Sequence, residues 1–163
     1  MSVVDAISQR STCNRGRPGC VFVKDNQILS TGYAGSPPGF PHCGEEGHYI
    51  ETHIQKMSPL NLEEYVGDVL ISVKKENISW HCIRTIHAEQ NAILQAAKRG
   101  VSLQGSTVYV SMTPCRTCAM MLISVGVAEV IAGKMYQKAQ ESIDMFAYAN
   151  IPLYHLDTDV QKY

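Results

Sequence analysis

The chain has 163 residues, 45% hydrophobic and 18% charged, with 14 basic side chains against 15 acidic ones. A chain of that length buries about 70% of its unfolded surface, so one globular domain over residues 1–163 is expected. The formal net charge of −1 excludes a broad cationic face for duplex nucleic acid, no run reaches the ~18 apolar residues of a membrane span, and no secretory leader is expected.

Val3, Val4 and Ile7 sit at helical spacing and predict a short amphipathic helix over Met1–Arg10. Ser11–Gly19 reads as a loop that carries Arg15 and Arg17. Cys20–Lys24 and Gln27–Tyr33 read as strands joined by the two-residue turn Asp25-Asn26, hence a hairpin. From about residue 36 to 82 the periodicity breaks at Pro37, Pro38, Gly39, Pro41, Gly44 and Gly47. That stretch reads as an irregular insertion without a periodic core, with a helix expected from Ser58-Pro59 to about Lys75. Beyond it the chain is regular. A helix is expected over His87–Arg99, stopped by Gly100, then a strand over Thr107–Met112. A helix over Cys115–Val125, a strand over Ala128–Ala132, a helix over Lys138–Asn150 and a last strand over Pro152–Leu156 follow. Strands alternating with helices imply the α/β class, a central sheet with helices on its faces.

Six cysteines without a leader point to metal or catalysis in a reducing compartment rather than to a disulfide framework. Six histidines accompany them, and only His155 lies outside the stretch 42–87. Two motifs carry the chemistry. His87-Ala88-Glu89 opens one helix, and Pro114-Cys115-Arg116-Thr117-Cys118 opens another. Cys115 and Cys118 are three apart and share a helix face. Thr113 fits an N-cap and Pro114 the first helical position, which puts both thiols at the positive end, where thiolate is favoured. Two thiolates and the His87 imidazole make three ligands for Zn²⁺, and three protein ligands plus water is the catalytic arrangement. Glu89 is placed to shuttle a proton without being a ligand. A lone CxxC also suits a zinc knuckle or a redox pair, but HxE together with PCxxC is the zinc deaminase signature.

On these residues the chain resembles the cytidine/deoxycytidylate deaminase superfamily. The matching stretches are Ser11–Cys13 (STC), 30–39 (STGYAGSPPG), 41–43 (PHC), 86–93 (IHAEQNAI) and 108–120 (VYVSMTPCRTCAM). GYxGSPPG favours its dCMP branch over the tRNA adenosine, free-nucleoside and riboflavin-pathway branches. The resemblance implies a three-layer α/β/α fold with a central mixed five-stranded sheet. It implies hydrolysis of dCMP to dUMP and ammonia for thymidylate supply, in a homohexamer activated by dCTP and inhibited by dTTP with Mg²⁺. It assigns catalytic zinc to His87, Cys115 and Cys118 and the proton shuttle to Glu89. The expected location is the cytoplasm, the host's for a viral chain, with no membrane or nucleic-acid partner.

Nucleotide or effector contacts are expected from Gly32, Tyr33, Ala34 and Gly35, from Ala88 in the histidine motif, and from Arg17 and Tyr136. Arg15, Arg84 and Arg116 are further cations for a 5′-phosphate. One residue departs from the family: an asparagine that touches the nucleotide sugar is replaced by Ala34, which has no side-chain donor or acceptor. Weakened catalysis with an intact zinc site is the expectation; an altered substrate, a compensated loss, an engineered substitution and a nonenzymatic nucleotide-binding relative are the other readings. Cys13, Cys43, His48 and Cys82 suggest a second, structural zinc of the kind some family members carry, with His42 and His81 as alternative ligands and Cys13 at the end of the first helix. Cys20 is expected to be a small buried hydrophobe.

Overall fold

The computed structural model describes residues 1–54 and 78–161; the helix expected from Ser58 to Lys75 lies outside them. The chain opens with α1 (Ser2–Ser8), then β1 (Gly19–Lys24) and β2 (Gln27–Tyr33). Asp25 and Asn26 both take positive φ, 50° and 61°, as a two-residue hairpin turn needs for its twist to match the strands. A short α2 (Cys43–Glu46), β3 (Ile50–Ile54) and β4 (Ile78–Cys82) follow. The second half supplies α3 (Ala88–Arg99), β5 (Thr107–Met112), α4 (Arg116–Ser124), β6 (Glu129–Tyr136), α5 (Gln140–Tyr148), β7 (Leu153–His155) and β8 (Val160–Gln161).

The main sheet runs β2-β1-β5-β6-β7, with β8 paired to the far end of β6. β1 is antiparallel to both β2 and β5, whereas β5, β6 and β7 are parallel. This is the mixed five-stranded sheet expected, with β8 as an unforeseen addition.

Two glycines show how the layers stack. A Cβ at Gly19 would stand 2.6 Å from the Val4 carbonyl on α1, and a Cβ at Gly32 would stand 2.1 Å from the Ala88 carbonyl on α3. Cys20 is paired with Gly32, so both point to one face, and Gly19, one residue before Cys20, points to the other. Helices α1 and α3 therefore cover opposite faces. Helix α4 packs on α3, and α5 on α4. Ala88, Ala92 and Ala96 let α3 approach the sheet closely, over a core that includes Phe22, Val108, Leu122, Val130 and Phe146. Burying each of the larger of these side chains is worth about 1.5–3 kcal/mol.

Several expectations need correction. Helix α4 begins at Arg116, with Cys115 as its N-cap at φ −68° and ψ 167°, rather than with Thr113 as cap and Pro114 as first residue. The Thr113 hydroxyl is engaged instead by the backbone N–H of Tyr136, at 3.2 Å. Helix α1 stops at Ser8, so Cys13 lies in the loop beyond it. Strand β6 extends to Tyr136, further than its apolar run suggested, because β8 pairs with Met135 and Tyr136. The insertion is more regular than its composition implied: β3 and β4 pair antiparallel from Ile50↔Cys82 to Ile54↔Ile78.

Candidate active site

Two helix starts meet near the C-terminal end of β5, the central strand of the sheet. His87 is the N-cap of α3, and its backbone N–H donates to the Gln90 side-chain oxygen at 3.1 Å, half of a capping box. Cys115 caps α4, and Cys118 lies one turn in, fully buried. The imidazole Nδ1 of His87 stands 3.5 Å from both sulfurs. Zn–S and Zn–N bonds of about 2.3 and 2.05 Å at tetrahedral angles put sulfur and nitrogen about 3.6 Å apart. Both sulfur–nitrogen pairs thus already hold the spacing a zinc ion imposes, and all three donors lie within 4.8 Å of one another.

Their electrostatics point the same way. Hydrogen bonding to Cys118, and then to His87, pulls the Cys115 thiol down to about 4 against the effect of burial. Hydrogen bonding to Cys115, and secondarily the Glu89 charge, raises His87 to about 9 although burial opposes it. Cys118 is pushed the other way, chiefly by its hydrogen bond to Cys115 and by burial. The pair therefore holds Cys115 as a thiolate beside a protonated His87, with a thiolate ready for a divalent cation, whose binding would displace the imidazole proton.

Among the described residues, no fourth histidine, cysteine or carboxylate joins this group. Glu89 is only 7% exposed and lines the adjoining pocket. Burial raises its carboxyl above the usual range, partly offset by the neighbouring His87. A buried carboxyl that keeps a proton more readily is suited to proton transfer.

A second group assembles from the loops. Cys13, Cys43, His48 and Cys82 place one donor atom each within 4.8 Å of one another. Cys13 Sγ is 3.7 Å from His48 Nδ1, and Cys43 Sγ is 3.7 Å from Cys82 Sγ. Tetrahedral zinc asks for about 3.6 Å for sulfur–nitrogen pairs and 3.8 Å for sulfur–sulfur pairs. Burial, and then the hydrogen bond to Cys82, pushes Cys43 up to about 12. Cys82 moves down: burial opposes this, but the backbone of Arg84 and the Cys43 thiol outweigh it. Here four side chains close the set, which is the structural pattern. His42, the alternative ligand, instead caps α2.

The two groups border one pocket of about 130 Å³. Cys13 and Cys82 line it together with His87, Glu89 and Cys115, while Ala34, Arg15, Thr113, Tyr136 and Gln137 complete much of the wall. Ala34 is held by its backbone. Its N–H donates to the Pro18 carbonyl at 3.2 Å, and its carbonyl accepts from the Thr12 N–H at 3.1 Å and the Ser11 hydroxyl at 2.9 Å. Burial raises the Tyr136 phenol, and the Arg15 charge counters it.

The other sequence-derived contacts lie elsewhere. Gly32 is a packing position against α3, and Ala88 is wholly buried beside it. The Tyr33 carbonyl accepts from the Asn91 side chain at 2.8 Å, and Gly35 bridges to Ile86. None of these four lines the pocket. Arg17 borders a separate depression beside α1, so Arg15 is the arginine of that loop that reaches the site. Gln137 and Thr85 line the pocket without any motif to mark them.

Residues 1–134 match the cytidine and deoxycytidylate deaminase zinc-binding region. The chain is 32% identical over 155 residues to the deoxycytidylate deaminase of Enterobacteria phage T2, covering 88% of this chain and 82% of that one. It is 31% identical over 153 residues to ComE operon protein 2 of Bacillus subtilis, covering 94% and 67%. A crystal structure of dCMP deaminase from the cyanophage S-TIM5, in complex with dCMP and dUMP, has the same fold, with a TM-score of 0.68 at 24% identity over 95% of this chain and 92% of that one. With two helix starts converging on a histidine and two cysteines beside a buried glutamate, the chain belongs to the cytidine and deoxycytidylate deaminase family and is a deaminase.

Proposed function

We propose that the protein hydrolyses dCMP to dUMP and ammonia. The observation that carries the reading is a three-donor group that no fourth side chain joins among the described residues, beside a pocket lined by a buried carboxyl. His87, Cys115 and Cys118 would hold zinc, whose Lewis acidity makes hydroxide available near neutral pH. Glu89 accepts one proton from the attacking water and delivers it to the ring nitrogen, then takes the proton of the newly added hydroxyl and delivers it to the departing amine. Water adds at the carbon bearing the amino group, the C–N bond breaks, and ammonia leaves. Burial serves Glu89 by keeping its proton affinity close to what both transfers need. The likeness in sequence to the phage deoxycytidylate deaminase supports the substrate.

Arg15 on the pocket wall is the cation for the 5′-phosphate, and a pocket of about 130 Å³ suits part of one nucleotide better than a polymer. The four-donor group of Cys13, Cys43, His48 and Cys82 would hold a second zinc that ties the insertion to the loop after α1. The family resemblance extends the reading to a cytoplasmic homohexamer regulated by dCTP and by dTTP with Mg²⁺.

Ammonia release from dCMP, set beside dCTP, cytidine and a single-stranded oligonucleotide, tests the reading. Selective turnover of dCMP is expected. No turnover of dCMP by protein carrying its full zinc complement would overturn it. A second reading, altered sugar recognition, is favoured by the Ala34 methyl group on the pocket wall, where the family places an amide.

A further inference from the structure

We infer that His155 is a positioning residue of the substrate pocket, acting through the Thr113 hydroxyl on Tyr136; the inference rests on the deaminase reading above. Thr113 is 1% exposed and lines the pocket two residues before Cys115. Its Oγ1 lies 2.9 Å from Nε2 of His155 and accepts the backbone N–H of Tyr136 at 3.2 Å. Its own N–H donates to the Lys134 carbonyl at 2.9 Å. One hydroxyl thus joins the end of β5, the end of β6 and the end of β7.

A hydroxyl has one proton and two lone pairs. One lone pair is taken by Tyr136, and the short contact to His155 sets where the remaining valences point. The alternative partner, the Lys134 carbonyl, stands at 3.4 Å, at the limit of a hydrogen bond. Without His155 the hydroxyl keeps only that long contact besides Tyr136, so the oxygen that accepts the Tyr136 N–H is no longer held in place and that bond loosens. Tyr136 and Gln137, both on the pocket wall, then lose the anchor that fixes their backbone.

His155 can act as a fixed support because its strand is held by the sheet. β7 pairs in parallel with β6 at Ala132↔His155, and the Leu156 N–H donates to the Ala132 carbonyl at 2.9 Å. The family match ends at residue 134, so this support comes from the part of the chain beyond it. The catalytic group is carried by α3 and α4, which His155 does not touch through these bonds. The effect therefore falls on substrate binding, while chemistry and zinc content stay.

The test compares His155→Leu with His155→Gln, whose amide places a polar group near the position of Nε2. His155→Leu is expected to raise KM for dCMP about tenfold, with kcat within about threefold, and His155→Gln to return KM to within about threefold of the parent. Zinc content is expected to be unchanged in both. An unchanged KM in His155→Leu, or a glutamine variant as damaged as the leucine one, would overturn the inference. A substrate-free arm separates it from the deaminase reading. In ¹⁵N-histidine-labelled protein the Nε2 resonance of His155 is expected to shift in Thr113→Val, and amide exchange at Tyr136 to quicken in His155→Leu. Absence of both changes sinks the inference whatever the enzyme does to dCMP, whereas both changes without dCMP turnover in the parent sink only the deaminase reading.

Discussion

Replacing Gly32 with alanine probes the contact that holds the catalytic helix to the sheet. The added Cβ would stand 2.1 Å from the Ala88 carbonyl oxygen and 2.4 Å from the Ala92 nitrogen, both backbone atoms of α3. Ordinary carbon–oxygen contacts begin near 3.3 Å, so α3 and β2 must part by about 1 Å. That movement also strains the buried hydrogen bond from the Ser30 hydroxyl to the Ala92 carbonyl, 2.6 Å long. Overpacking of this kind costs about 1–3 kcal/mol, and each kcal/mol lowers Tm by about 2–4 °C in a domain of this size. Because α3 begins at His87 and carries Glu89 in its first turn, a shift of about 1 Å at the reacting groups costs about a hundredfold in turnover. Thermal unfolding of the zinc-loaded variant and kcat for dCMP measure the two effects. A Tm unchanged to within about 1 °C with full kcat would refute the packing argument. A raised KM with unchanged Tm would return Gly32 to the role its sequence motif suggested, a contact with substrate.

Other perturbations separate the roles of neighbouring residues. Glu89→Gln keeps the size of the side chain and its place on the pocket wall but removes the base, so kcat is expected to fall about 10²–10⁴-fold while zinc content holds; substantial residual turnover would remove the shuttle role. Ala34→Asn puts an amide on the pocket wall and is expected to tighten dCMP binding up to about tenfold, read from KM; no gain would show that Ala34 is not a deficit. In protein stripped of zinc, Cys115 is depressed to about 4, so its thiolate is present above that pH and is lost only as pH falls through it. Iodoacetamide at pH 6 is therefore expected to label Cys115 and spare Cys43, which stays protonated up to about 12. Mass spectrometry showing the reverse order would contradict the assignment.

The parts legible in the sequence were those set by local chemistry. Asp25-Asn26 announced the hairpin because few residues accept positive φ at two successive positions. His87, Glu89, Cys115 and Cys118 stood out because ligand spacing and helix starts are short-range patterns. The loop residues Cys13, Cys43, His48 and Cys82 were identifiable by type as candidate ligands, and the structure gathers those four. What stayed hidden depends on distant strands. The cap of α4 was misplaced because Pro114 fits a first helical position locally, while the Thr113 hydroxyl is claimed by Tyr136 and His155 through the sheet. Gly32 was read as a nucleotide contact from its motif; the structure adds a packing reason, the close approach of the α3 backbone, that the motif does not show. Arg15 and Arg17 are indistinguishable in a loop sequence, and only the fold turns one of them toward the pocket.

Anomalous diffraction at the zinc edge, from crystals of the protein as purified, bears most directly on how the donors are used. Two peaks per chain are expected. One lies among Cys13, Cys43, His48 and Cys82 with four protein ligands; the other lies among His87, Cys115 and Cys118 with no fourth side chain attached. A peak absent from the second position, or a protein side chain filling its remaining corner, would contradict the catalytic account.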